Sequence, residues 1–469
     1  MHIRDTMEPW MKMSLMLCVF GFLKEFRPSE PFVTPFLTTF KNFTLEEVNQ
    51  RVFPVETYSW LSLLVVVFLI TDMVRYKPVI IVLALSGVAT WSLFIWGTNI
   101  AAMQAAEFWF GMFLASEVAY FTYIYAQVEK EHYQAVTSHI RTAFLLGRFL
   151  SSSVCQALIS SGLTSYSELN YLTLVAEIML AIWAFLLPSV KHSLYFHRRE
   201  DSSAVLENNV ASAINNSSSD ISSGQNSRPE GIRELFLMAC TYLWQDFKQA
   251  FTNPLVVKWS MWWALGTCGY LQAIIYSQNL WEDIVDEIKE KTGETQELYN
   301  GAVEAIYTLV GAAAAFACGW LKLDWAVYGE PILALCSLLQ GITLLVSSYA
   351  SSLWLAYAMY ITFVVFYQTM ITIANSEVAK NINEDSYGLI FGVNTFFALL
   401  CQTILTFIVV GEHGLALSSR LQYEVYGGYF LAMGGLFLIM ALYNVCCRRP
   451  LKTWIFDPLP AAQTSSVKS

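Results

Sequence analysis

Charge is scarce in this chain. Of its 469 residues only 14% are Asp, Glu, Lys or Arg, where a soluble globular protein carries about 25%. With 55% hydrophobic residues and a mean hydropathy of +0.46, the composition excludes an ordinary soluble domain and points to a membrane protein. Positive charge is scarcer than negative. The 27 Lys and Arg against 37 Asp and Glu leave a net charge of -10, which excludes the basic face of a nucleic-acid binder. The nine cysteines are scattered, with no C-x-x-C pair and no metal-ligand spacing. No G-x-x-x-x-G-K-S/T stretch is present to cradle a nucleotide phosphate, so an ATP-driven pump is not expected. H-E-x-x-H and G-x-S-x-G are also missing, and the histidines fall in expected loops, at span ends or at the N-terminus. No enzyme, metal site or cofactor is therefore expected. Nor is a cleavable leader, since the first apolar stretch runs into Arg27-Pro28-Ser29-Glu30-Pro31 instead of a small-residue cleavage site.

What is present is a series of apolar stretches of roughly 20 residues, the length that crosses a bilayer as a helix. Twelve are expected. In the first half they cover 10–38, 54–74, 78–97, 103–127, 137–163 and 168–188. In the second they cover 255–280, 300–322, 326–349, 353–379, 387–411 and 424–446. The stretch 189–250 has His197-Arg198-Arg199 and Asn215-Asn216-Ser217-Ser218-Ser219, a composition that builds no packed core and reads as a disordered linker. The predicted organisation is an all-α polytopic membrane protein. A six-helix bundle (10–188), a cytoplasmic linker, a second six-helix bundle (255–446) and a tail (447–469) make the layout of a transporter with pseudo-symmetric halves.

Lys and Arg in short loops set the orientation. Arg75, Lys77, Lys130, the linker bases and Arg448, Arg449 and Lys452 share one side, so that side and both termini are expected in the cytoplasm. The loop 281–299, acidic overall, is expected outside. Asn42-Phe43-Thr44 is a glycosylation acceptor in the first outside loop.

Ionisable residues inside apolar runs carry the functional signal, because each is costly in a bilayer unless it faces a cavity or a partner. The acids within or bordering the spans are Glu30, Glu56, Glu107, Glu117, Glu177, Glu304 and Glu377. The bases are Lys24, Arg27, Arg141, Arg148 and Lys258, most of them expected near span ends, where long side chains snorkel to water. A cavity of negative potential, favouring a cationic solute, is the expectation. The alternative is that several acids pair with Arg141 or Arg148. Glu117 lies deep in its run without an obvious partner. Tyr120, three residues on, shares its helix face, and a carboxylate beside an aromatic ring suits an organic cation. Glu107 lies roughly 15 Å earlier along that helix. Glu30 stands between Pro28 and Pro31, which interrupt span one and free backbone groups, as tolerated where they line a cavity. Glu56 opens span two as a cavity-mouth acid or an interfacial one. Asp72 and Arg75, in a tight turn before Lys77-Pro78, form a candidate gating latch like the loop two-to-three motif of the major facilitator superfamily, or a solvated loop.

At these residues the chain resembles the reduced folate and thiamine carrier family across nearly all spans. Arg27 to Phe32 resembles its span-one signature, Lys41-Asn42-Phe43-Thr44 its glycosylated first loop, and Asp72 to Pro78 its second-to-third loop. Tyr299 to Ala305 in span eight and Phe391 to Phe397 in span eleven are also similar. The resemblance implies a major facilitator fold of twelve helices in two bundles, a plasma-membrane location and uptake of a B vitamin by alternating access. Folate carriers resemble one another in an arginine where Glu117 stands, a basic residue at Val364 and a lysine at Gln402. Thiamine carriers resemble this chain in Glu30, Glu117, Tyr120, Glu304 and Gln402. They differ from it by a Trp at Glu56, an Asn at Ile275 and a Gln at Glu377.

A thiamine-like cation is thus the expected substrate. Glu117 and Tyr120 would hold its ring, with Glu30, Glu56, Glu304 and Gln402 completing the site. The alternatives are a folate or reduced-folate carrier, and a vitamin-binding membrane receptor that transports nothing.

Overall fold

The first helix stops where its prolines say it must. In a computed structural model that describes residues 8–74, 76–128, 132–189, 241, 244–245, 247–293, 296–318, 323, 325–382 and 387–448, helix α1 runs Pro9–Glu25. The chain then turns at Arg27 to Ser29. It re-forms only as short helical turns, Glu30–Phe32, Val33–Pro35 and Phe36–Phe40. Proline disfavours helical backbone in the residue before it and supplies no N–H to continue the ladder. The predicted interruption of span one is therefore a break in mid-span.

The remaining helices of the first half are α2 Phe53–Met73, α3 Lys77–Trp96, α4 Ile100–Gln127, α5 Tyr133–Ser160 and α6 Tyr166–Leu186. Those of the second half are α7 Pro254–Ile275, α8 Ser277–Thr292, α9 Asn300–Cys318, α10 Trp325–Ser348, α11 Leu353–Lys380, α12 Tyr387–Val409 and α13 Ser419–Arg448. Helices α1, α2, α3 and α7 open with proline in the first turn, where its missing N–H costs nothing. Asn99 caps α4 by accepting from the Ala102 amide at 2.8 Å. At the start of α6 the Glu168 carboxylate accepts from the Ser165 amide at 2.7 Å. No strand occurs among the described residues.

Eight helices among the described residues are long and apolar enough to cross a membrane. They correspond to α2, α3, α5, α6, α10, α11, α12 and α13. The four other expected spans are α1, α4, α7 and α9. Each holds a charged residue (Lys24, Glu117, Lys258 and Glu304, respectively), and α1 is only 17 residues long.

The expected loop 281–299 is largely helix. Leu280, Trp281, Ile284 and Val285 form a buried stripe on α8, its charges take the other face, and Gly293 ends it in the left-handed conformation at φ 74°. The apolar spacing was visible in the sequence, but the high charge masked it.

Within the first half, α4 packs on α2 and α3, while α1 packs on α5 and α6. In the second, α7 packs on α11 and α12, and α10 on α11 and α13. Helix α5 meets α9, and α2 meets α12, across the halves.

Polar contacts between the halves gather at the end of the molecule that holds Asn42. The break in span one takes backbone groups out of a regular α-helical ladder, and side chains of the second half bond to them. Gln278 Nε2 donates to the Glu30 carbonyl at 2.9 Å, Asn300 Nδ2 to the Pro31 carbonyl at 2.9 Å, and the Thr34 amide to Gln278 Oε1 at 3.1 Å. Thr34 Oγ1 donates to Asn279 Oδ1 and Thr38 Oγ1 to Glu282 Oε1, both at 2.9 Å. The Asn42 end is closed.

Glu282, on the charged helix α8 outside the candidate spans, gives this closure a pH dependence. Burial pushes its carboxyl up to about 7, opposed by the Thr38 hydrogen bond and reinforced by Asp286 and Asp283. A carboxyl raised in the closed state favours closure fully below the ordinary carboxylate range. That contribution is lost as pH rises through about 7. Hydrogen exchange of residues 34–41, corrected for intrinsic rate, is therefore expected to speed up as pH rises from about 5 to about 8. Glu282→Gln is expected to flatten the rise, and an equal rise in that variant would exclude Glu282 as its source.

Candidate substrate site

Two carboxylates and an ammonium meet at the truncated end of α1. Lys24 is only 2% exposed. Its Nζ donates at 2.7 Å to Glu25 Oε1 and at 2.7 Å to Glu117 Oε1 of α4. A helix C-terminus presents unpaired carbonyls and a partial negative charge, which favours cations there. Arg27 completes the arrangement. Its Nη1 donates to the Lys24 carbonyl at 2.6 Å and its Nε to Glu30 Oε2 at 2.6 Å. Arg148 of α5 carries the network on, pairing with Glu25 at 3.0 Å and with Glu304 of α9 at 3.7 Å. The chain Glu117–Lys24–Glu25–Arg148–Glu304 thus joins α4, α1, α5 and α9, and its last link crosses the halves.

All of these groups except Glu304 line a cavity of about 390 Å³. Its charged wall is Lys24, Glu25, Arg27, Glu30, Glu56, Glu107, Glu117, Arg141 and Arg148, five acids to four bases. Trp60, Trp91, Phe94, Phe110, Phe144 and Tyr270 supply aromatic surface. Lys24 lies 4.9 Å from the centre of the Phe144 ring and Arg27 5.3 Å from that of Phe113.

Of the residues predicted for the site, Glu30, Glu56 and Glu117 stand in this wall. Glu304 borders a smaller adjoining space of about 90 Å³ with Glu30, Arg148 and Tyr307. Tyr120 and Gln402 are not in either wall. Tyr120 is wholly buried, donates to the Leu17 carbonyl at 2.7 Å, and stacks on Phe20 and Phe144. It supports a cavity ring from behind, because a tyrosine one turn from Glu117 faces the packed α1–α4 seam. Gln402 is buried between α12 and α2, its Nε2 3.4 Å from Thr57 Oγ1. Asp72's side chain and Arg75 lie outside the described residues. Asn42 is exposed, with φ 58°.

The expectation that Glu117 lacks a partner, and that Lys24 and Arg27 snorkel, is corrected. Both bases are buried, because the break at Pro28 places the end of α1 inside the protein instead of at its surface. Glu25 was missed altogether; its signal was its place beside Lys24 in the last turn before the proline. Glu377 pairs with Lys380 at 2.7 Å near the end of α11. Glu177 is fully buried against Gly87, and neither carboxylate oxygen has a hydrogen-bond partner among the described residues.

With that geometry in place, the family model described as reduced folate carrier matches residues 8–425. The chain belongs to that family. It is 38% identical to human thiamine transporter 2 over 92% of this chain and 90% of that one. It is 37% identical to mouse thiamine transporter 1 over 99% and 95% of the two chains. Identity to the human reduced folate transporter is 34%, over 93% and 73%. Among solved structures, a mutant of the nucleoside transporter NupG covers 91% of this chain and 99% of its own, at TM-score 0.59 and 12% identity. A POT family transporter in complex with a thioalcohol-conjugated peptide gives TM-score 0.57 at 10% identity, over 92% and 95%. The fold is that of the major facilitators.

Removing one charge from the network leaves its partners buried and uncompensated. Lys24→Met is expected to lower stability by about 3 kcal/mol, read as a lower melting temperature in detergent. Lys24→Arg is expected to retain most of it. Equal melting of Lys24→Met and the unmodified chain would show that the network contributes no net stability.

Proposed function

We propose that this chain takes up a thiamine-like organic cation across the plasma membrane by alternating access. The observation that carries the reading is the charge of the cavity wall. Its acids outnumber its bases by one, and an acid, Glu117, stands in a wall that also carries aromatic rings. A folate anion would meet five carboxylates against four bases there, a balance of the wrong sign for it. A cation finds carboxylate and π-face together.

In this reading Glu117 binds the cationic ring, with Phe144 as the aromatic face and Tyr120 holding that ring in place. Glu30, Glu56 and Glu304 set the potential, and Gln402 adjusts the contact between α2 and α12 near the site. The bundles 10–188 and 255–446 rock about the cavity. The hydrogen bonds of Gln278, Asn279 and Asn300 to the broken span close the outer side. Asp72 and Arg75 gate the inner side. Both termini and the linker lie in the cytoplasm, and Asn42, exposed in the first outer loop, carries a glycan. The chain acts as a carrier, with no enzymatic step. Folate transport is the second reading, favoured by the relationship to the human reduced folate transporter.

Uptake of labelled thiamine and labelled folate in cells lacking both transporters separates the readings. Thiamine uptake is expected to saturate and to resist excess folate. Saturable folate uptake that ignores excess thiamine would overturn the cation reading, and ligand binding without flux into vesicles would make the protein a receptor. Glu117→Gln is expected to cut thiamine uptake at least about tenfold, the equivalent of ~1.4 kcal/mol, with surface expression little changed.

A further inference from the structure

Most of the cavity's acids are accounted for. Glu25, Glu30 and Glu117 each hold a base at 3.0 Å or less, and Glu304 holds Arg148. Glu56 and Glu107 do not. Both line the cavity, they are 8% and 3% exposed, and no hydrogen bond or ion pair engages either carboxylate among the described residues. Arg27 acts on Glu56 through space, but its Nε and Nη1 are bonded to Glu30 and to the Lys24 carbonyl.

The backbone brings the two acids together. Ser59 Oγ donates to the Glu56 carbonyl at 2.9 Å and lies 3.5 Å from the Glu107 carbonyl. One turn on, Gly111 lets α4 touch α2: a Cβ there would strike Ser59 Oγ and come within 2.9 Å of the Trp60 amide nitrogen. Glu56 and Glu107 interact electrostatically across this seam. Two like charges in a low-dielectric wall repel each other, and burying a carboxylate without a partner is costly. A positive group placed between them relieves both costs. Phe53, Trp91 and Phe94 supply aromatic surface to the same cavity.

We propose that Glu56 and Glu107 form a second cation subsite, and that the preferred substrate is an elongated dication: a cationic ring for Glu117 and an amine tail for this pair. The proposal rests on the reading of the cavity as an organic-cation site. Glu107 and Glu117 are ten residues apart, roughly 15 Å along one helix, so the two subsites mark the ends of one elongated ligand. The tail's ammonium donates to both carboxylates at once, through three N–H groups on one nitrogen.

Two probes of equal length and shape, aminohexyl-pyridinium and hydroxyhexyl-pyridinium, test this on the purified full chain by titration. The amine probe is expected to bind at least about tenfold more tightly, the equivalent of ~1.4 kcal/mol. That ratio is expected to fall towards one in Glu56→Gln and in Glu107→Gln. Equal affinities in the unmodified chain, or no binding of either probe, overturn the second subsite whether or not the variants fold. A preference that survives in both folded variants overturns it too. Thiamine titration of the unmodified chain is read separately. Thiamine bound without an amine preference retains the cation reading and removes only the subsite. Thiamine unbound removes both.

Discussion

The structure hangs on a lysine ammonium held between two carboxylates inside a membrane protein. Lys24 is almost wholly buried and bridges Glu25 and Glu117. Neither charge sign is tolerable there alone, since transferring an isolated ion into a low dielectric costs several kcal/mol even after relaxation. Together, and with Arg27 and Arg148, they form an alternating series in which each acid has a base beside it. The series needs a helix end buried inside the protein. Pro28 supplies it, and the carbonyls exposed at that end favour the cations that assemble there.

The same break sets up the closure at the Asn42 end. A helix interrupted within a bilayer leaves backbone groups that must find partners inside the protein. Here the Pro31 carbonyl and the Thr34 amide bond side chains of the other half, Asn300 and Gln278, and the Glu30 carbonyl takes Gln278 beside its local Val33 amide. They are side chain to backbone contacts of ordinary length, each worth about 1 kcal/mol net. A seam of that kind is sufficient to hold one arrangement and weak enough to release. The charged network below it and the amide seam above it are thus two consequences of one pair of prolines.

Much of this was legible in the sequence, and the rest was hidden for identifiable reasons. Apolar run length gave the helices, and Pro28 and Pro31 gave the break. The cost of an acid in an apolar run pointed to Glu30, Glu56 and Glu117, all of which face the cavity. The pairing of Glu117 was not legible, because Lys24 and Glu117 are 93 residues apart and only the fold brings α1 against α4. Tyr120 shows the limit of helical spacing. Residues three apart share a face, but that face is wide enough for one to reach the cavity while the other enters the packed seam. Helix α8 was concealed by its charge, although its buried stripe has helical spacing. Gln402 looked like a site residue by resemblance, and its depth in the α2–α12 contact depends on tertiary packing that no local pattern reports.

A nearly balanced cavity makes a different kind of binding site from a bare acidic one. A cation reaching Glu117 meets a carboxylate already engaged by Lys24, so its affinity is the difference between two pairings. That lowers the net gain and links the gain to movement: an ammonium displaced from Glu117 still has Glu25, on its own helix, to retain it. Glu25 in turn is shared with Arg148, whose other contact is Glu304 across the halves. A ligand changes the balance between two arrangements of a protein only through its different affinity for each. In this chain the charges beside the cavity are the same charges that link α1, α4, α5 and α9. Redistributing them at one end alters the pairing at the other without requiring any long-range strain. The break in span one gives α1 an end free to respond.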